Sequence, residues 1–169
     1  MTDFQRKRVY EAEYVLRGLF TRATASENPV VTVAGITVTL PPEANFGSLE
    51  SIQAYVDRVL AHPAVLARYP WVEGNRITVR RRRGATKAHY ERGPRVIAIP
   101  DQVNWAMREV VVLHEIAHHL SWDGHGPGFA DAFVTLLDAV MGPEAALMLR
   151  IAYDDGGVQV GNKTPARAV

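Results

Sequence analysis

The sequence contains no cysteine. Disulfides, thiolate metal sites and cysteine nucleophiles are therefore excluded, and any metal would have to be held by nitrogen and oxygen ligands. Net charge is also scarce. Nineteen Lys and Arg against 18 Asp and Glu leave a formal +1, too small a field to bring the whole molecule to nucleic acid or an anionic membrane. No apolar run approaches the ~18 residues of a membrane span. No apolar stretch follows Arg6-Lys7-Arg8, as a signal peptide would require. A cytoplasmic protein with no membrane partner is the expectation. Lysine is nearly missing, confined to Lys7, Lys87 and Lys163, so the basic charge is almost all arginine. There are no internal repeats.

What is present is enough to fold. An apolar content of 47% over 169 residues can bury a core without staples. Residues 1–153 read as a single domain, and the polar, aperiodic residues 154–169 as a flexible C-terminal tail. Thr2-x-x-Gln5 has the form of a capping box. Val9, Ala12, Leu16, Leu19 and Phe20 then recur at helical spacing, which predicts a helix over 3–22. Two β-branched runs around Ala34-Gly35 predict a hairpin. Ser48 is placed to cap a second helix, with a short continuation from Pro63. Residues 76–82 alternate as a strand, and 88–90 with 96–99 form a second hairpin candidate. Asp101 or Asn104 would cap a helix over 105–121. Pro127 and Gly142-Pro143 punctuate two more helices. This order predicts an α+β domain with a small, mostly antiparallel sheet packed with helices.

Four of the six histidines lie between 114 and 125. Residues four apart share one helix face, ~6 Å apart along the axis, so the imidazoles of His114 and His118 can converge on one ion. Glu115 flanks that face, close enough to hold a water but turned aside from ligation. In this H-E-x-x-H arrangement a zinc ion acidifies a water toward pKa ~7 and the glutamate takes the proton. The surrounding Val110–Leu113, Ile116, Ala117 and Leu120 make the segment a buried helix, where such polar groups are costly without a shared purpose. The plainer alternative is a helix whose histidines bond to core or solvent. His125, between two glycines, is the leading third ligand. Asp123 and Asp131 are its rivals. Three imidazoles would bind one zinc per chain and leave a fourth position open. His119 is turned ~100° around the helix from His118, which favours a supporting or surface role.

His114-Glu115-Ile116-Ala117-His118, followed by His125-Gly126-Pro127-Gly128-Phe129, resembles the HExxH…HGxxF pattern of SprT-like and minimal gluzincin-type zincin metallopeptidases. The resemblance covers about residues 76–140. It implies a zincin-like fold, zinc on His114, His118 and His125, and Glu115 as general base. It also implies a peptide or protein substrate. The chain departs from the metzincin pattern HExxHxxGxxH. Its third histidine stands one position later, and Ser121 takes the place of the glycine.

Other readings concern the surroundings. The segments 86–90 and 96–99 are the candidates to pair with an extended peptide. His89, Tyr90 and Tyr153 are candidates to stabilise an oxyanion. Arg80-Arg81-Arg82-Arg83 reads first as a solvated strand end and second as a nucleic-acid contact. Period-two alternation would divide the run between two faces. The expected function is a zinc metallohydrolase acting on peptide bonds. Its rival is a zinc-containing nucleic-acid- or protein-binding module without turnover.

Overall fold

The stripe Val9, Ala12, Leu16, Leu19 and Phe20 forms the buried face of helix α1 (Arg6–Ala25) in the computed structural model, which describes residues 3–161. The helix starts later than residue 3, and Gln5 makes no capping bond. Its buried side chain instead exchanges two 3.1 Å hydrogen bonds with the backbone of Gln159. Thr2, the other half of the expected box, lies outside the described residues. A long-range partner has replaced the local cap.

Strands β1 (Val30–Val33) and β2 (Ile36–Thr39) form the predicted hairpin. Helix α2 (Leu49–Leu60) opens on a capping box between Ser48 and Ser51, and α3 (Pro63–Arg68) follows. Strands β3 (Thr78–Arg81), β4 (His89–Glu91) and β5 (Val96–Ile99) make a second sheet in the order β3-β5-β4. β4 and β5 pair antiparallel, but β3 runs parallel to β5. The cause lies in the residues. β5 is wholly apolar and buries Ile97, Ala98 and Ile99, so it takes the centre, whereas the arginine-bearing β3 takes an edge. Among the described residues the fold is mixed α and β, with six α-helices and two small sheets.

The central element is α4 (Glu109–Leu120), in which every residue except His118 is buried. It begins later than the predicted residue 105, because Asn104–Met107 form a 3-10 turn and Arg108 is extended. Neither Asp101 nor Asn104 caps it. The segment 43–46 does that work from a distance. Glu43 binds the Arg108 guanidinium and the Val110 amide, while the Glu109 amide donates to the Ala44 carbonyl. Glu109 returns the contact, accepting 2.8 Å from the Ala44 amide and 2.6 Å from the Tyr55 hydroxyl. Burial, then the negative charge of Glu109, pushes the Tyr55 hydroxyl pKa upward.

Helices α5 (Pro127–Val140) and α6 (Pro143–Asp155) pack on one another, α5 against α4 and α6 against α1. The expected tail is tied down in its first part. α6 runs to Asp155, Val158 is buried, and Gln159 holds Gln5. Residues 162–169 of that expectation lie outside the described residues. No helix among the described residues is long and apolar enough to cross a membrane.

Tyr55→Phe removes a donor from a buried carboxylate while conserving shape. It should cost about 1–3 kcal/mol of unfolding free energy. Urea denaturation of the two proteins side by side measures this, and equal midpoints would mean that the bond contributes nothing net.

Candidate metal centre

His114 and His118 lie one turn apart on α4, and His125 reaches them from the loop before α5. Their ligand nitrogens lie within 4.8 Å of one another, so the group could hold a metal ion. The Nε2 atoms of His114 and His118 stand 3.1 Å apart. Two ligands of a tetrahedral ion at ~2.0–2.1 Å would stand about 3.3 Å apart, so this pair already has close to the required spacing. The Nε2 of His125 is buried and has no hydrogen-bond partner, as befits a lone pair kept for an ion.

The loop geometry follows from two glycines. Gly124 takes φ +65°, which favours glycine. At Gly126 a Cβ would stand 2.4 Å from Asp123 Oδ2, so the bare backbone makes room for that carboxylate. Asp123 accepts from the amides of Gly128 (2.7 Å) and Phe129 (3.0 Å), opening α5. It is therefore committed elsewhere as a ligand. Asp131 pairs with Arg68 at 3.2 Å. Phe129 lies against the site, its ring centroid 4.8, 4.5 and 5.0 Å from those of His114, His118 and His125.

Two carboxylates from the N-terminal segment complete the arrangement. His114 Nδ1 donates to Glu13 at 2.6 Å, and His125 Nδ1 donates to Asp3 at 2.7 Å. A second Asp3 oxygen accepts from the His125 amide at 3.1 Å. A carboxylate on the far nitrogen fixes ring orientation, leaves Nε2 free and strengthens it as a donor to a metal. Nothing local in the sequence marks these acids, 101 and 122 positions away from their partners. The only signal was an acid, Glu13, on the buried face of an amphipathic helix.

Titration follows the same geometry. Burial, reinforced by His114 and His125, lowers the His118 pKa to about 2. Burial lowers that of His125, with the Asp3 bond opposing. For His114 burial is the largest influence and lowers the pKa, but the charge and hydrogen bond of Glu13, with the charge of Glu115, together make the net shift upward. Neutral imidazoles are the ligand form. Glu115 is buried, and desolvation raises its pKa against the pull of His114 and the Tyr90 amide. It lines, with His114, a cleft of about 600 Å³ between α1 and α4.

The remaining candidates sort by contact. His119 points away from the cluster, bonding the Tyr90 hydroxyl at 2.7 Å, and burial lowers its pKa to about 4. Tyr90 is thereby committed, and Tyr153 is only 1% exposed, out of reach of a substrate. His89 is exposed. Tyr10, a residue that sequence reasoning missed, lies 5.6 Å from His114 and 5.0 Å from His125 between ring centroids and borders the cleft. β5 has strands on both sides, so 96–99 cannot accept a peptide and only β4 keeps a free edge beside α4. In the arginine run, Arg80 pairs with Glu91, Arg81 with Asp101, and Arg82 donates to the Lys87 carbonyl. No family model, curated protein or solved structure matches the chain.

Removing a ligand should abolish tight metal binding. His118→Ala and His125→Ala should each lose the ion in a zinc titration, while His119→Ala keeps it. The opposite pattern would overturn the ligand assignment. Glu13→Gln and Asp3→Asn keep a hydrogen-bond acceptor but lose the charge, and each should weaken zinc affinity by about 10–100-fold. Competition against a chromophoric chelator reads this directly, and affinities equal to that of the parent would mean that the carboxylates serve folding alone.

Proposed function

We propose that this chain is a zinc-dependent hydrolase of zincin-like type acting on peptide bonds. The observation that carries the reading is the largely buried trio His114, His118 and His125 with Glu115 on the same helix, His114 and Glu115 lining a cleft. Three protein nitrogens with a fourth position open are the arrangement of catalytic rather than structural zinc. Zinc held there would supply Lewis-acid chemistry, activating a water and polarising a carbonyl. The donor set fits that ion, being three imidazoles with carboxylates behind two of them.

The chain's own groups then have distinct tasks. Glu115 accepts the proton of the attacking water and passes it to the leaving amine. Its burial supports that role, because a carboxylate with a raised pKa holds a proton more readily once it has taken one. Glu13 and Asp3 keep the His114 and His125 rings in place. β4, the edge strand beside α4, offers its remaining main-chain groups to an extended peptide, a mode with little sequence preference. Half the arginine run is spent on ion pairs, which favours a solvated strand end over a nucleic-acid contact.

Glu115→Gln tests the chemistry. The variant keeps size and hydrogen bonding but cannot accept a proton. It should fold, retain zinc, and lose hydrolysis of casein or an unstructured peptide by ~10²–10⁴-fold. Loss of zinc in that variant would make Glu115 a ligand instead, and undiminished turnover would place the chemistry elsewhere.

A further inference from the structure

We propose that the cleft between α1 and α4 is a specificity site for a large apolar side chain, best filled by an aromatic one, on a peptide held at the metal centre. This rests on the peptidase reading above and adds to it a class of substrate. The cleft encloses about 600 Å³, within the ~300–1,000 Å³ range of small-molecule sites. His114 and Glu115 are part of its lining, so whatever enters comes next to one candidate ligand and the candidate base. Tyr10, Tyr14 and Val15 of α1 form one wall and Trp105 stands on the rim.

Three of these groups are left in water. Tyr14 is 73% exposed, Val15 46% and Trp105 38%, all around one opening. Scattered exposed apolar residues need no explanation, but a cluster around a concave site marks a surface made to be covered. The charged groups of the rim mostly cancel. Lys7 pairs with Glu11 and Arg17 with Glu13, each at 3.7 Å. Lys87 lies over the Tyr10 ring, 5.5 Å from its centroid. A charged side chain would lose water against aromatic faces, and the cations nearest the Tyr10 ring, Arg6 and Lys87, stand over its face. A phenyl or indole group would lose only its contact with water and gain ring–ring packing. Both walls also come from rigid helical elements, α1 and the 3-10 turn at Asn104–Met107, so the site is formed before the ligand arrives.

Three hydroxamates, which chelate zinc through the same head group, separate the metal from the cleft. The full-length zinc-loaded protein is titrated calorimetrically with acetohydroxamate and with the hydroxamates of N-acetylphenylalanine and N-acetylaspartate. The phenylalanine probe should bind at least about tenfold tighter than either other one. In the double variant Tyr14→Ala, Trp105→Ala that advantage should shrink to a few-fold. Both residues are exposed, and a circular dichroism melt checks that the fold is kept. Equal affinity for all three probes overturns the proposal. So does an aspartate probe that binds tightest, or a phenylalanine advantage that survives the double variant. If zinc binds but acetohydroxamate does not, the open metal position is wrong and the peptidase reading falls, taking this one with it. Acetohydroxamate binding without a phenylalanine advantage removes the apolar specificity alone.

Discussion

A helix buried on nearly every side must find a partner for each polar group it carries, since an unpaired buried donor or charge costs several kcal/mol. In α4 this constraint acts on five side chains. Glu109 is bonded by Tyr55 and the Ala44 amide. His114 is bonded by Glu13 and His119 by Tyr90. His118 faces His114 and His125, and Glu115 is met by the backbone amide of Tyr90. Once these bonds are assigned, the groups least tied to the fold are a half-buried imidazole and a carboxylate beside a cleft. Those are the groups that a hydrolytic centre would use.

Charge carries the same logic further. Glu13 is 2% exposed, and its nearest cation besides His114 is Arg17 at 3.7 Å. A carboxylate so placed needs positive charge close by. A proton on His114 supplies it, and the charge and hydrogen bond of Glu13, with the charge of Glu115, raise that histidine's pKa against burial. A cation on the Nε2 side would supply it equally, in exchange for the proton. The cluster could therefore hold either a proton or an ion, and burial keeps His118 in the neutral form that a ligand needs.

The legible parts of the fold were the local ones. The stripe of α1, the Ser48 cap, both hairpins and the boundaries at Pro127 and Pro143 rest on spacing and turn chemistry within a few residues. His114 and His118 were legible for the same reason, since helical geometry alone brings them together. His125 was legible through its glycines, and Phe129 through its place in the following turn. What escaped depends on partners far along the chain. Gln5 looks like a cap but is claimed by Gln159. The start of α4 looks like residue 105 but is set by Glu43 and Ala44. The parallel pairing of β3 with β5 required knowing which strand would be buried. Asp3 and Tyr10 carry no local mark at all, and Glu13 only its place on the buried face of α1.

These long-range contacts form one mechanical chain. α6 packs on α1, and the segment after it, through Val158 and Gln159, holds Gln5 at the start of that helix. Gln5 is two residues from Asp3 and two turns from Glu13, so anchoring it sets both carboxylates relative to α4. Each carboxylate then orients one imidazole, while Tyr10, one turn before Glu13, packs on two of the three rings. The motif on α4 supplies the candidate ligands and base, but their aim is imposed from α1, and the position of α1 is imposed from the far end of the domain. A substitution that loosens the Gln5–Gln159 contact can thus disturb the ligand geometry without touching a ligand, because an error of ~0.5 Å in a supporting side chain is already significant for a preorganised site.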